Sequence, residues 1–420
     1  MRCVPQSEGS PGGIRVMARL DELATCSSEH SALTRLYLTG EHRAAIEMIS
    51  GWMREAGMRT HVDDAGSLIG RYPGRDPDAP VLLLGSHIDT VRNAGRYDGN
   101  LGVVIAIEAV AALHASGEKL AFAIEVTAFG DEEGVRFPVT LTGSRSLAGN
   151  FEPGNLDAVD KAGISLRRAL AEFGLDPDGV AHLGRDPGKT LGYVEVHIEQ
   201  GPVLEADKLP VGIVTAINGA SRFKVDIDGK AGHAGTVPMG LRLDAGAAAA
   251  EMMLAIETVA ATSEDLVATV GACELRPGAV NVIPASAHFT IDIRSPDDAH
   301  RLAAIEDLRA RFEAIARKRG VKVDVHKTYE EPAARCDPGL MRVFETALTS
   351  LGLPIRLLSS GAGHDGLAMV SLCPIAMLFV RCRGGISHNP AESARTDDVS
   401  TALDVLVAFL RRLPLPSPTA

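Results

Sequence analysis

Apolar positions along this chain keep one rhythm over most of its length and another in a single inner stretch. The run Val81-Leu-Leu-Leu-Gly-Ser-His-Ile-Asp-Thr-Val91, rich in branched residues and bounded by Pro80 and Gly85, predicts a strand buried on both faces. Residues 101–113 continue as a helical run, and residues 120–129 as a second buried strand. Strand, helix and strand in that order imply a parallel βαβ unit. Before them, Ala45, Ile49, Trp52 and Ala56 recur at helical spacing over 41–56, and Gly57 closes the helix. A turn at 63–67, a strand at 68–72 and a surface loop at 73–80 follow from clustered Asp, Gly and Pro. Residues 151–187 read as charged helices and loops, and 191–199 as a strand with His197 near its end. Residues 374–380 read as a buried strand, and 399–413 as a closing helix.

From residue 211 the pattern changes. Residues 222–228, Arg-Phe-Lys-Val-Asp-Ile-Asp, alternate strictly, so one face of that strand is expected in water. A helix over 244–261, a strand over 266–275 and an alternating strand over 287–294 come next. A helix with Ile305, Leu308, Phe312 and Ile315 on one stripe and a strand over 321–327 complete the series. This β-α-β-β-α-β order is the ferredoxin-like split βαβ. The expected fold class is α/β: a mostly parallel-sheet domain over 14–210 and 330–420, with a ferredoxin-like α+β domain inserted over 211–329. Residues 1–13, polar and rich in Gly, Pro and Ser, are expected to form a disordered leader.

Composition refines this picture. At 420 residues, two domains are the default. No run approaches the ~20 apolar residues of a membrane span. Residues 1–13 also lack the apolar core of a signal peptide, so a cytoplasmic protein is expected. The formal net charge of −12 argues against nucleic acid or an anionic membrane as partner, but not against a small anionic substrate met by local arginines. The six cysteines, Cys3, Cys26, Cys273, Cys336, Cys373 and Cys382, contain no C-x-x-C pair. That removes a cysteine zinc site and leaves free thiols as the expectation. Any metal must be held by histidine and carboxylate.

Those residue types gather where buried strands end. His87 and Asp89, two apart on an extended chain, point to the same side, so Asp89 can fix the tautomer of a metal-bound His87. Asp98 stands at a helix start, where a carboxylate is either an N-cap or, with His-x-Asp nearby, a ligand. His87, Glu132, Glu133, His197 and His388 each lie at or just past the carboxyl end of a predicted strand, the edge where open α/β sheets bind ligands. Zn, Mn, Co and Ni all suit imidazole and carboxylate. Two ions ~3.5–4 Å apart need a bridging group, and Asp98 at its turn is suited to it. Several distributions of the histidines over two ions are chemically open. Neighbouring Glu132 and Glu133 cannot both face one ion well; one can ligate while the other holds an attacking water.

The motifs Gly85-Ser-His-Ile-Asp-Thr, Tyr97-Asp-Gly, Asp131-Glu-Glu-Gly, His197-Ile-Glu-Gln-Gly-Pro, Gly232-His-Ala-Gly-Thr and Ser387-His-Asn-Pro-Ala-Glu resemble the dinuclear-metal aminoacylase/carboxypeptidase superfamily. Within it they are similar to the hydantoinase/carbamoylase amidases, which include allantoate amidohydrolases, N-carbamoyl-L-amino-acid hydrolases and β-ureidopropionases. The resemblance implies two divalent metal ions per subunit. One takes His87, Asp98 and His197, and the other Asp98, Glu133 and His388. Glu132 becomes the general base and Asp89 the orienter of His87. His197 marks the branch, since peptidase relatives usually place an acidic ligand there. Substrate contacts are implied for Gln200, His233, Asn281 and Arg294, with a homodimer formed through the inserted lid domain and His233, Asn281 and Arg294 reaching across that interface. A guanidinium is a natural bidentate partner for a carboxylate, and a histidine can donate to a developing oxyanion. Gly361-Ala-Gly-His-Asp365 is also shared with the branch, and His364 is expected near the cleft.

The implied reaction is hydrolysis of the carbamoyl C–N bond of a small anionic ureido acid, either allantoate or an N-carbamoyl-L-amino acid. The alternatives are an aminoacylase or dipeptidase on the same scaffold, or a non-catalytic binding protein that kept the fold. No expected ligand or base is missing from the sequence.

Overall fold

The computed structural model describes residues 9–415, which form two compact units. One holds the chain up to Thr215, Arg335–Leu358 and the chain from Ala362; the other holds Ala216–Ala334 and Ser359–Gly361. The chain therefore leaves the first unit after Thr215 and re-enters it at Arg335, where 211 and 329 bounded the expected insertion. The strands, in chain order, are β1 (Arg59–Val62), β2 (Leu68–Tyr72), β3 (Val81–His87), β4 (Ala123–Phe129), β5 (Thr190–Ile198), β6 (Val211–Ile217), β7 (Gly219–Asp228), β8 (Gly232–His233), β9 (Val267–Thr269), β10 (Cys273–Arg276), β11 (Val282–Ile283), β12 (Ser286–Ser295), β13 (Lys322–Glu331), β14 (Ala334–Arg335), β15 (Leu357–Ser360) and β16 (Ile375–Val380).

The sheet of the first unit has the order β1-β2-β4-β3-β5-β16-β6-β14, with β15 beside β6. Its centre, β4-β3-β5-β16, is parallel, and β2 and β6 flank it antiparallel. The branched runs behave as their pattern requires: β4 and β16 are buried at every residue, and β3 at every residue but its first. The helix Asn100–Ala115 is apolar on all sides because both sides are covered. It packs on β3, β4 and β5 and is overlaid by the helices Pro11–Leu23 and Thr396–Arg412. Since the central strands run parallel, their carboxyl ends share one edge. His87 ends β3, Glu132 and Glu133 follow β4, His197 lies next to last in β5, and the loop to His388 leaves β16.

The helix Pro11–Leu23 corrects the expectation of a disordered leader over 1–13. Ser10 caps it by accepting from the Gly13 amide, and Pro11 fills its first turn. Gly12 and Gly13 mask this start signal, yet Gly13 is required there: a Cβ would meet Ser400 Oγ at 1.9 Å. The first helix thus lies hard against the last. The remaining leader residues, 1–8, fall outside the described residues.

The second unit is built on a five-stranded antiparallel sheet, β10-β12-β7-β13 with β9 also on β12. The helices Ala245–Ala261 and Asp298–Arg319 close its core through Met252, Ile256, Ile305, Leu308 and Phe312. Their order along the chain is that of a split βαβ. The strand expected over 266–275 is two pieces. Thr269 faces Asp292 and Cys273 faces Phe289, so three residues of one strand oppose two of the other, a bulge around Gly271.

Among the described residues no helix is long and apolar enough to cross a membrane. Their five cysteines are free, and Cys3 lies outside them.

Candidate metal centre

Asp98 is the centre of the arrangement, and its two oxygens face opposite ways. Oδ1 lies 3.1 Å from His197 Nε2 and 3.6 Å from His87 Nε2. Oδ2 lies 3.2 Å from His388 Nε2, which in turn lies 3.5 Å from Glu133 Oε1. Glu132 Oε2 is 3.9 Å from His87 Nε2. Asp98 does not cap its helix: the cap position is Gly99, with no side-chain bond. Gly99 has φ +66°, and a Cβ there would stand 2.5 Å from the His87 ring, so the turn that presents Asp98 admits only glycine.

The imidazole tautomers decide whether this donor set suits a cation. His87 Nδ1 lies 3.0 Å from the Asp89 carbonyl and His197 Nδ1 lies 2.8 Å from the Ile198 carbonyl. A ring nitrogen facing a carbonyl carries the proton, which leaves each Nε2 as an acceptor. The Gly99 amide donates to His197 Nε2 at 3.1 Å, in keeping with that tautomer. Two acceptor nitrogens then face the acceptor oxygen of a buried carboxylate. Such a contact is repulsive unless a proton or a cation lies between, and imidazoles oriented through Nδ1 in this way are built for a cation. The residues fit a metal. His87, Asp98 and His197 form one group of mutually close ligand atoms, and Asp98, Glu133 and His388 another, each within 4.8 Å.

Electrostatics follow from this crowding. With a proton rather than a cation on each facing Nε2, burial still works against the Asp98 carboxylate, but His197, His388 and His87 overcome it and hold the group well below the usual range. Hydrogen bonding to Asp98 takes His388 up to about 9. Burial pushes Glu132 well up, and burial with the nearby Asp98 charge takes Glu133 up to about 7. A bound cation acts in the opposite direction on both carboxyls.

Two further carboxylates set the loops. The carbonyl of Asp89, rather than its carboxylate, takes His87 Nδ1; the carboxylate is 3.8 Å away. Instead, Asp89 Oδ1 and Oδ2 accept from the amides of Glu132 and Glu133, at 3.1 and 3.2 Å. Asp89 thus ties the end of β3 to the loop after β4. Glu392 does the same for the last segment. Its Oε1 accepts from the amides of Tyr97 and Asp98, and its Oε2 from Ser387 Oγ, one residue before His388. Sequence reasoning placed Glu392 in a motif without a role.

Gln200, expected at the substrate, is held against the bridge: Nε2 donates to Asp98 Oδ2 at 2.8 Å and to Ser387 Oγ at 3.1 Å. Among the described residues its buried Oε1 has no partner. His364 is buried with its ring edge-on to His197, 4.4 Å between centroids, so it adjoins the centre as expected.

His233, Asn281 and Arg294 belong to the second unit. The ribbon of β8 with β11 brings the first two together, with the Ala234 amide on the Asn281 carbonyl at 2.9 Å. His233 Nδ1 accepts from the Gly235 amide, so its Nε2 carries the proton. Arg294 is engaged, bidentate to Asp292 at 2.7 and 2.9 Å and bound to the Gly361 carbonyl at 2.7 Å.

Comparison with known proteins shows the family. The model of the peptidase family M20/M25/M40 matches residues 83–412, and the chain belongs to that family. An N-carbamoyl-L-amino acid amidohydrolase of Geobacillus stearothermophilus is 42% identical over 395 residues, covering 94% of this chain and 97% of that one. An allantoate deiminase of Arabidopsis thaliana is 41% identical over 425 residues, covering 94% and 81%. The crystal structure of a hydantoinase/carbamoylase family amidase from Burkholderia multivorans superposes with a TM-score of 0.89 at 32% identity, over 95% of this chain and 97% of that one. The resemblance to hydantoinase/carbamoylase amidases therefore holds, and the chain is a hydrolase of carbon–nitrogen bonds other than peptide bonds.

Proposed function

We propose that this protein is a metal-dependent amidohydrolase that cleaves the carbamoyl C–N bond of allantoate or an N-carbamoyl-L-amino acid. The observation that carries the proposal is the division of Asp98, one oxygen toward His87 and His197 and the other toward His388. His87, Asp98 and His197 would hold one divalent ion, and Asp98, Glu133 and His388 a second, of Zn, Mn, Co or Ni. Bound there, the ions would lower the pKa of a water and polarise the ureido carbonyl.

Glu132 takes a proton from the attacking water and returns it to the leaving nitrogen as the carbamoyl C–N bond breaks. The carbamate so formed splits into ammonia and carbon dioxide, and the amine product departs. His233 donates from Nε2 to the developing oxyanion, and Arg294 with Asn281 takes the substrate carboxylate. Gln200 keeps Asp98 in place through its amide nitrogen and offers Oε1 to the ureido N–H groups. The proposal includes a cytoplasmic homodimer joined through the second unit, on which Met239, Leu241 and Val280 stand exposed.

The test is ammonia release by manganese-reconstituted protein from allantoate, N-carbamoyl-methionine and N-carbamoyl-β-alanine, beside methionine release from N-acetyl-methionine. Ammonia from allantoate or N-carbamoyl-methionine is expected. Faster deacylation of N-acetyl-methionine, with no ammonia from the ureido acids, would make the protein an aminoacylase.

A further inference from the structure

The bulkiest fully enclosed side chains include Arg35, which is 0% exposed. Among the described residues no carboxylate comes within 4.0 Å of its guanidinium. A buried cation with no carboxylate in contact is costly, and it persists only where other interactions, here its hydrogen bonds and the more distant charge of Asp89, offset that cost. Burial lowers its pKa to about 10, so it stays charged at neutral pH.

Its bonds lead to the metal centre. Nε donates at 2.7 Å to the carbonyl of Ile88, the residue between His87 and Asp89. Nη2 donates at 2.6 Å to Asn100 Oδ1, and Asn100 Nδ2 donates at 3.0 Å to the carbonyl of Asp98. Nη1 anchors the fork on the Leu23 carbonyl at 2.9 Å. The backbone of Arg35 closes on the same segment: its amide donates to Thr90 Oγ1 and its carbonyl accepts from the Thr90 amide. One rigid planar group therefore spans the end of β3 and the turn of Asp98.

We propose that Arg35 is a positioning residue for the metal centre, setting the spacing of His87 and Asp98 through Ile88 and Asn100. This rests on the reading of those two residues as metal ligands. Lysine cannot replace it, since an ammonium offers its donors from one point while the guanidinium reaches Ile88 and Asn100 in different directions.

The test uses full-length protein loaded with cobalt(II), reading its visible absorption bands and its rate of cobalt loss to a chelator. Arg35→Lys and Asn100→Ala are each expected to shift the bands and release cobalt at least ~10-fold faster than the parent, the lower end of what partners of metal ligands contribute. Phe344→Leu, a core truncation where Phe344 stacks on Phe409, is expected to lower Tm while keeping the parent bands and rate. Parent-like bands and release in both Arg35→Lys and Asn100→Ala would overturn the proposal, as would equal changes in Phe344→Leu. If Arg35→Lys does not fold, Asn100→Ala decides alone. A parent chain that binds no cobalt would instead remove the metal reading itself, and this proposal with it.

Discussion

Glu132→Gln is expected to lower kcat by about 10²–10⁴-fold, the usual contribution of a general acid–base group. Metal content and Tm are expected to stay at the parent values. The separation between those outcomes comes from geometry. Glu133 faces His388 at 3.5 Å, whereas the closest imidazole nitrogen to a Glu132 oxygen is His87 Nε2 at 3.9 Å. The loop does not depend on the Glu132 carboxyl either, because its amide is held by Asp89. An amide in place of the carboxyl keeps the volume and loses the proton acceptor. Steady-state rates at saturating substrate, with metal per subunit measured on the same samples, check this. More than a tenth of parental turnover in Glu132→Gln would assign the base elsewhere.

Asp98→Asn is expected to have the larger effect on metal, emptying both positions where the loss of Glu133 or His388 would empty one. It also changes the metal-free protein in a pH-dependent way. The folded pKa of Asp98 lies below its ordinary 3.8, so the stability it contributes is present above that value and is lost as pH falls further. The folded pKa of His388, raised from 6.5 to about 9, works the other way: its contribution is full below 6.5 and is lost as pH rises through 9. The metal-free parent should therefore exceed Asp98→Asn in Tm by most between pH 3.8 and 6.5, with the gap narrowing toward 9. A gap that widened from pH 6 to pH 9 in chelator-treated protein would contradict the pairing.

Most of the centre was legible because strand periodicity locates strand ends, and parallel strands put those ends on one edge. His87, Glu132, Glu133, His197 and His388 all follow that rule. Asp98 needed more, since a carboxylate before a helix also reads as a cap; the two readings part only in the structure, where Gly99 takes the cap position and both Asp98 oxygens face imidazoles. The supports were not legible. Arg35 sits in a stretch without period, and its partners are mostly main-chain carbonyls, which leave no mark on composition. Asp89 lies beside His87, but the ring meets its carbonyl and not its carboxylate, and the grip of that carboxylate on two amides across the sheet depends on register. The helix at Pro11 was hidden because Gly12 and Gly13, needed for contact with the last helix, look like disorder.

That contact of Gly13 with Ser400 has a consequence for the order in which the protein can be made. The first unit is discontinuous, and its opening helix, which also rests on the helix Asn100–Ala115, completes its seat only when the closing helix exists. His388 and Glu392 also arrive in that last segment, so the centre stays incomplete until synthesis is nearly finished. The second unit, almost wholly one stretch, can close its core earlier. Ribosome-bound chains halted after residue 380 and treated briefly with protease should yield a protected fragment from the second unit alone. Equal protection of residues 9–215 at that stage would mean the first unit closes without its final helix.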